Sequence, residues 1–203
     1  MHIQPHDHTG AATVAYVLNS KFSKEGVAAI SKLHQEISKY FGELAWLLPS
    51  QSLHVTLMDW IAPFVQYGED PDILFKKHGE RYISVLEDIV KKEGPISVHF
   101  NQINISPTTI FIQGTDDGAY QRIRESFLMK AELLPGTKQP PSIIHASIAR
   151  FVGVADFPEA EDFIATVPVD FEENIDEFRL VRETILPMQG YEILRTLPLR
   201  SKI

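Results

Sequence analysis

The chain has no cysteine among its 203 residues, which removes a disulfide framework, thiolate metal sites and cysteine-nucleophile chemistry together. That absence suits a cytoplasmic protein, and a cytoplasmic location is the expectation. Positive charge is also scarce, since 19 Lys and Arg stand against 27 Asp and Glu for a net charge of −8. Such a surface repels a long polyanion, which argues against an extended nucleic-acid surface but leaves room for a pocket holding one or two phosphates. No stretch approaches the apolar length of a membrane span, and residues 1–10 lack the basic start and apolar centre of a secretory signal. The chain is therefore expected to be soluble, not secreted and free of membrane contact. Single-sign runs and low-complexity tracts are missing too, and 44% apolar with 23% charged residues fits a folded chain rather than a disordered one. The expectation is a monomer in which residues 1–203 form one two-lobed domain, with residues 1–10 as a flexible tail.

What is present alternates between strand and helix patterns. Residues 12–18 read as a buried strand, followed by a helix that Ser23 caps and Gly42 ends, with Val27, Ile30, Leu33, Ile37 and Tyr40/Phe41 on one stripe. Residues 44–48 and 52–58 read as strands separated at Pro49. A second long helix starts at Asp70-Pro71, carries Leu74, His78, Tyr82, Val85 and Ile89 inward, and stops at Gly94-Pro95. Residues 96–100 alternate and pair as a hairpin with 108–113 through Ser106-Pro107. Asp116 or Asp117 caps a third helix with Tyr120, Ile123, Phe127 and Ala131 inward, and residues 135–141 are expected to be a mobile loop. A strand at 142–151, a short helix at 158–166 and a hairpin of 178–186 with 191–197 complete the pattern. Short turns between several strands favour antiparallel or mixed sheets with helices packed on one face, an α+β fold.

Two of these strands look alike. In residues 52–57, Ser-Leu-His-Val-Thr-Leu, and 143–148, Ile-Ile-His-Ala-Ser-Ile, a histidine is followed two positions on by a hydroxyl residue. Side chains two apart share a strand face, so His54 with Thr56, and His145 with Ser147, point one way while their apolar neighbours point the other. Only these two of the eight histidines have Ser or Thr at that spacing, and about one such match is expected by chance. The shared apolar flanks and the preceding helices of similar length are what lift the pair above chance. Breaking a phosphodiester by in-line attack requires a base for the attacking water and an acid for the departing oxygen. Histidine serves both near neutral pH, and adjacent hydroxyls can donate to the nonbridging oxygens, with no metal required.

The motifs His54-Val-Thr-Leu57 and His145-Ala-Ser-Ile148 resemble the 2H phosphoesterase superfamily, which includes RNA 2′,3′-cyclic phosphodiesterases and the bacterial RNA ligase-like proteins. The resemblance extends to the strand and long helix before the first motif, to Ala149-Arg150 after the second, and to the closing hairpin through Pro198, so that it covers most of residues 12–198. It implies a pseudo-twofold, two-lobed fold with a central cleft and helices outside. The implied activity is hydrolysis of a cyclic (2′,3′-type) or 2′-5′ phosphodiester of a nucleotide or short RNA end. By the same resemblance His54 and His145 would be the catalytic acid and base, Thr56 and Ser147 would bind the phosphate, and neither cofactor nor metal is called for. Serine at the second motif holds its rotamer less firmly than threonine. The alternative is a non-catalytic module that binds a nucleotide or phospho-ligand in the same cleft.

Other candidates read as structural. Arg150 has the opposite parity to His145 and is expected to face away from the cleft, whereas Ser52 and Met58 share the parity of His54 and are expected to line it. Tyr191 is a stacking platform or a core residue, and stays outside the catalytic set. His2, His6 and His8 fall in the expected tail, His78 on an inward stripe, and His99 on a solvated face, while His34 carries no signal. The acidic residues at 159–162 and 170–177 read as solvated faces or helix-start charges.

Overall fold

The computed structural model describes residues 1–200. A two-residue strand β1 (His2–Ile3) precedes β2 (Ala12–Lys21) and the helix α1 (Lys24–Phe41). Ser23 Oγ accepts from the Gly26 N–H at 3.0 Å, and Gly42 leaves the helix at a φ of 57°, which favours a residue without a side chain. Then come β3 (Ala45–Leu47), β4 (His54–Ile61), α2 (Pro71–Val90), β5 (Ile96–Ile105), β6 (Thr109–Thr115) and α3 (Ala119–Lys130). The last third contains β7 (Ile144–Phe151), β8 (Ala155–Asp156), α4 (Ala160–Thr166), β9 (Phe171–Ile175), β10 (Glu177–Ile185) and β11 (Gly190–Pro198). Caps follow the sequence reading, with Asp70 accepting from Asp72 N and Ile73 N, and Asp116 from Gly118 N and Tyr120 N. No helix among the described residues is long and apolar enough to cross a membrane.

The strands form a four-stranded sheet in the order β11-β10-β2-β4, a five-stranded sheet in the order β3-β7-β6-β5-β9, and the small ribbon β1-β8. Every pairing is antiparallel, so the architecture is α+β with two antiparallel sheets. Helices are exchanged between the lobes. α1 leaves β2 of the four-stranded sheet but packs on β3, β7 and β9 of the other, while α2 and α3 cover β2, β11 and β4. One apolar core consequently runs through both lobes, from Leu18, Leu57 and Trp60 to Phe100, Ile112 and Ile148.

Three segments differ from the sequence reading. Residues 1–10 are not a free tail. Ile3 is fully buried, His6 N donates to Phe151 O at 2.9 Å, Gly10 N donates to Leu186 O at 2.8 Å, and the His8 ring stacks on Phe64 at 4.0 Å. One buried isoleucine and a ladder of backbone bonds to both lobes outweigh the polar composition that suggested disorder. Within 170–177, Phe171–Ile175 is an edge strand, and Glu173 is buried where it accepts from Ser23 N at 2.8 Å and Ser23 Oγ at 3.0 Å. The strand expected at 52–58 starts at His54 and runs on to Ile61.

Candidate active site

Both histidine strands carry a β-bulge at the same offset from the motif. Opposite β2, the register passes from Asn19 facing Thr56 to Leu18 facing Met58, so Leu57 is an extra residue. Opposite β6, it passes from Phe111 facing Ser147 to Ile110 facing Ala149, so Ile148 is extra. An extra residue shifts the parity of everything after it. Leu57 and Met58 are therefore both fully buried, as are Ile148 and Ala149, and Asp59 and Arg150 turn back to the face of their histidines. The expectations for Arg150 and Met58 are thereby reversed, because both assumed a straight strand. Ser52 is likewise buried, its Oγ donating to Met188 O at 3.3 Å, and lies outside the cleft lining.

Each bulge is met by a side chain from a helix. A bulged residue leaves the ladder, and its carbonyl then needs another donor. Arg124 of α3, only 3% exposed, donates through Nε to Leu57 O at 2.9 Å and through Nη2 to Thr56 O at 3.0 Å, and its Nη1 is 3.4 Å from Ile143 O. His34 of α1 donates through Nε2 to Ile148 O at 2.8 Å. The histidine without a sequence signal is thus the counterpart of a buried arginine.

Between the sheets lies a cleft of about 210 Å3, and His54, Thr56, His145 and Ser147 all line it, with Asp59, Arg150, Glu183 and Met188. The Nδ1–H of His54 donates to Ser52 O at 2.7 Å, which leaves Nε2 as the nitrogen free for proton exchange. Nδ1 of His145 is buried beside the Ile143 carbonyl and makes no hydrogen bond of normal geometry. Burial pushes His54 down to about 4, and the positive charges of Arg179 and Arg150 push the same way against the Ser52 bond. Burial also lowers His145, and the Arg124 guanidinium adds to the effect. Both shifts favour the neutral imidazole in the free cleft. Burial lowers Arg150 to about 10, opposed by the Glu183 charge, and its buried Nε and Nη1 have no partner among the described residues. The two carboxyls shift upward, Asp59 to about 6 by burial and Glu183 to about 7 by burial and then by the Asp59 charge, against the hydrogen bond from Met188 N.

No family model and no curated protein sequence matches the chain. Solved structures do. TT0787 of Thermus thermophilus aligns over 93% of this chain and 100% of its own at 18% identity, with a TM-score of 0.66. E. coli LigT in complex with ATP aligns over 93% and 99% at 12% identity, with a TM-score of 0.58. The MHV ns2 PDE domain aligns over 84% and 99% at 13% identity, with a TM-score of 0.51. The fold is that of the 2H phosphoesterases.

Within this 2H fold the four motif side chains named from the sequence share one cleft, and three further lining residues, Asp59, Arg150 and Glu183, were missed. A sequence signal for two of them exists. The apolar pairs Leu57-Met58 and Ile148-Ala149 break the alternation at equal distance from each histidine, which marks a bulge. The remaining histidines stay apart from the cleft lining. His99 Nε2 pairs with Asp170 Oδ1 at 2.7 Å on the surface, and His78 is half-buried beside Tyr82. Tyr191 packs against a small cluster of Ala15, Val17, Val181 and Met188, with the Arg179 guanidinium 5.9 Å from its ring centre.

Proposed function

We propose that the chain is a phosphoesterase that hydrolyses a cyclic (2′,3′-type) or 2′-5′ phosphodiester of a nucleotide or short RNA end. Water oxygen attacks phosphorus as the bond to the leaving ribose oxygen breaks; one imidazole takes the proton from water, and the other delivers a proton to the departing oxygen. Thr56 and Ser147 donate to the nonbridging oxygens, and Arg150 offers its unpartnered guanidinium to the same charge. The observation that carries this reading is that two imidazoles, two hydroxyls and an unpaired arginine converge on one water-accessible cleft. LigT has been solved with 3′-AMP and with phosphate, ligands that carry a phosphoryl group.

Burial lowers both histidines in the free site, so the acid is charged by a proton taken up from solvent as the substrate binds, because the substrate's negative charge raises the affinity of a nearby imidazole for it. The test is turnover of nucleoside 2′,3′-cyclic phosphates and 2′-5′ dinucleotides by wild type, His54→Ala and His145→Ala. Each variant is expected to lose ~10²–10⁴-fold in kcat while its unfolding midpoint stays near that of wild type. Binding of these ligands by wild type with no product formed would favour the non-catalytic module instead.

A further inference from the structure

The cleft residues come in a fixed order along β2. Lys21 faces His54, Asn19 faces Thr56 and Val17 faces Asp59, while on the other edge of β2 Ala15 faces Glu183. At roughly 3.3 Å of rise per residue, Asp59 lies about 7 Å beyond Thr56 along the strand direction and Glu183 about 7 Å beyond Asp59. Both carboxyls therefore extend the cleft on the same side of the His54–Thr56 pair. Among the described residues neither forms an ion pair. The charge of Lys138, an exposed residue, reaches Asp59, and that of Arg150 reaches Glu183 from the facing sheet. The bulges give this arrangement its polarity. At equal offset from its histidine, one strand presents an arginine and the other an aspartate, so the two halves of the site are alike in their imidazoles and hydroxyls but opposite in charge beyond them.

We propose that Asp59 and Glu183 act as a specificity filter at one end of the cleft: they accept hydrogen bonds from a substrate hydroxyl or amino group and turn away a second phosphate. The proposal rests on the reading of the cleft as a phosphodiester site. Once a phosphodiester monoanion is bound against Arg150, that cation is neutralised, and any further phosphate on the carboxyl side meets two carboxylates with only the exposed Lys138 to offset them. Repulsion between unit charges several ångströms apart in a partly buried cleft is worth ~10-fold or more in discrimination. The substrate class this selects is a cyclic phosphodiester with one negative charge and free hydroxyls, such as a nucleoside 2′,3′-cyclic phosphate with an unmodified 5′-hydroxyl.

The experiment compares adenosine 2′,3′-cyclic phosphate with its 5′-phosphorylated form at about pH 8, above the values at which burial places both carboxyls. Wild type is expected to favour the 5′-hydroxyl form by ~10-fold or more in kcat/KM, and Asp59→Asn and Glu183→Gln are each expected to raise kcat/KM for the 5′-phosphorylated form several-fold. Such a gain cannot come from misfolding. Equal turnover of both substrates by wild type, or a ratio unmoved in both variants, overturns the filter. Calorimetric titration with 3′-AMP and adenosine 3′,5′-bisphosphate reads the same discrimination without turnover. Absence of all turnover with selective binding of 3′-AMP would therefore refute hydrolysis and support the filter, and equal binding of the two ligands would refute the filter itself.

Discussion

Arg124 offers the sharpest test of how the site is held. Its guanidinium is buried with no carboxylate partner among the described residues and is used on backbone carbonyls at the bulge of β4, and it lies 5.2 Å from the Tyr120 ring centre. Arg124→Met keeps the length of the side chain and removes the donors. Two bonds of 2.9 and 3.0 Å from a charged donor are lost, each worth ~1.5–3 kcal/mol, and the contact at 3.4 Å is too long to count. Against this, methionine avoids the cost of burying an ion, so the net loss is about 2–4 kcal/mol. For a chain of this size that is a fall of about 4–16 °C in the unfolding midpoint, read by calorimetry or circular dichroism. Arg124→Lys should fall between the two, since an ammonium lacks the planar fork that spans adjacent carbonyls. Loss of the cation should also raise the pKa of His145, followed by NMR of its ring protons. A midpoint for Arg124→Met within about 1 °C of wild type would show that the bulge holds itself and that this account of Arg124 is mistaken.

Arg150 should behave in the opposite way. With two buried nitrogens unpartnered, Arg150→Met is expected to leave the unfolding midpoint unchanged or raised while weakening 3′-AMP binding ~10–100-fold by calorimetry; a destabilised protein with intact binding would contradict it. Glu183 is pushed up to about 7 from 4.5, so the folded state holds more protons between those values and stability falls as pH rises through that window. Glu183→Gln should remove that slope and add of order 2 kcal/mol above pH 7, measured by urea unfolding at several pH values. His54, lowered to about 4, has the opposite sign: its contribution is present above about 6.5 and lost as pH falls toward 4. Binding of a phosphate monoester at neutral pH should take up as much as about one proton from solvent, seen as a binding heat that varies with the ionisation enthalpy of the buffer; a buffer-independent heat would argue against protonation of an imidazole on binding.

The elements that rest on local chemistry were legible in the sequence. Ser23, Gly42, Asp70 and Asp116 start and stop helices where their side chains or backbone freedom dictate, and Ser106 closes its turn by accepting from Thr109 N at 3.0 Å. The four motif residues also fell on one cleft, because two-residue spacing is insensitive to everything outside the strand. What was missed depends on partners far away in sequence. Whether a strand bulges is decided by the ladder beside it, so parity carried Arg150 to the wrong face after only three residues. Phe171–Ile175 looked like charged surface because the adjacent Glu172 and Glu173 hide the alternation of an edge strand, and Glu173 is buried where Ser23 donates to it. The docking of residues 1–10 depends on carbonyls of Phe151 and Leu186, which local composition does not reveal.

The exchange of helices has a consequence for assembly and evolution. Because α1 roofs the sheet that its own leading strand does not belong to, cutting the chain between the two motifs would leave each fragment with a naked apolar surface and the other's cover. Such fragments should be sticky alone yet able to reconstitute when mixed, and a gene arising by duplication of one half would have been viable first as an intertwined pair.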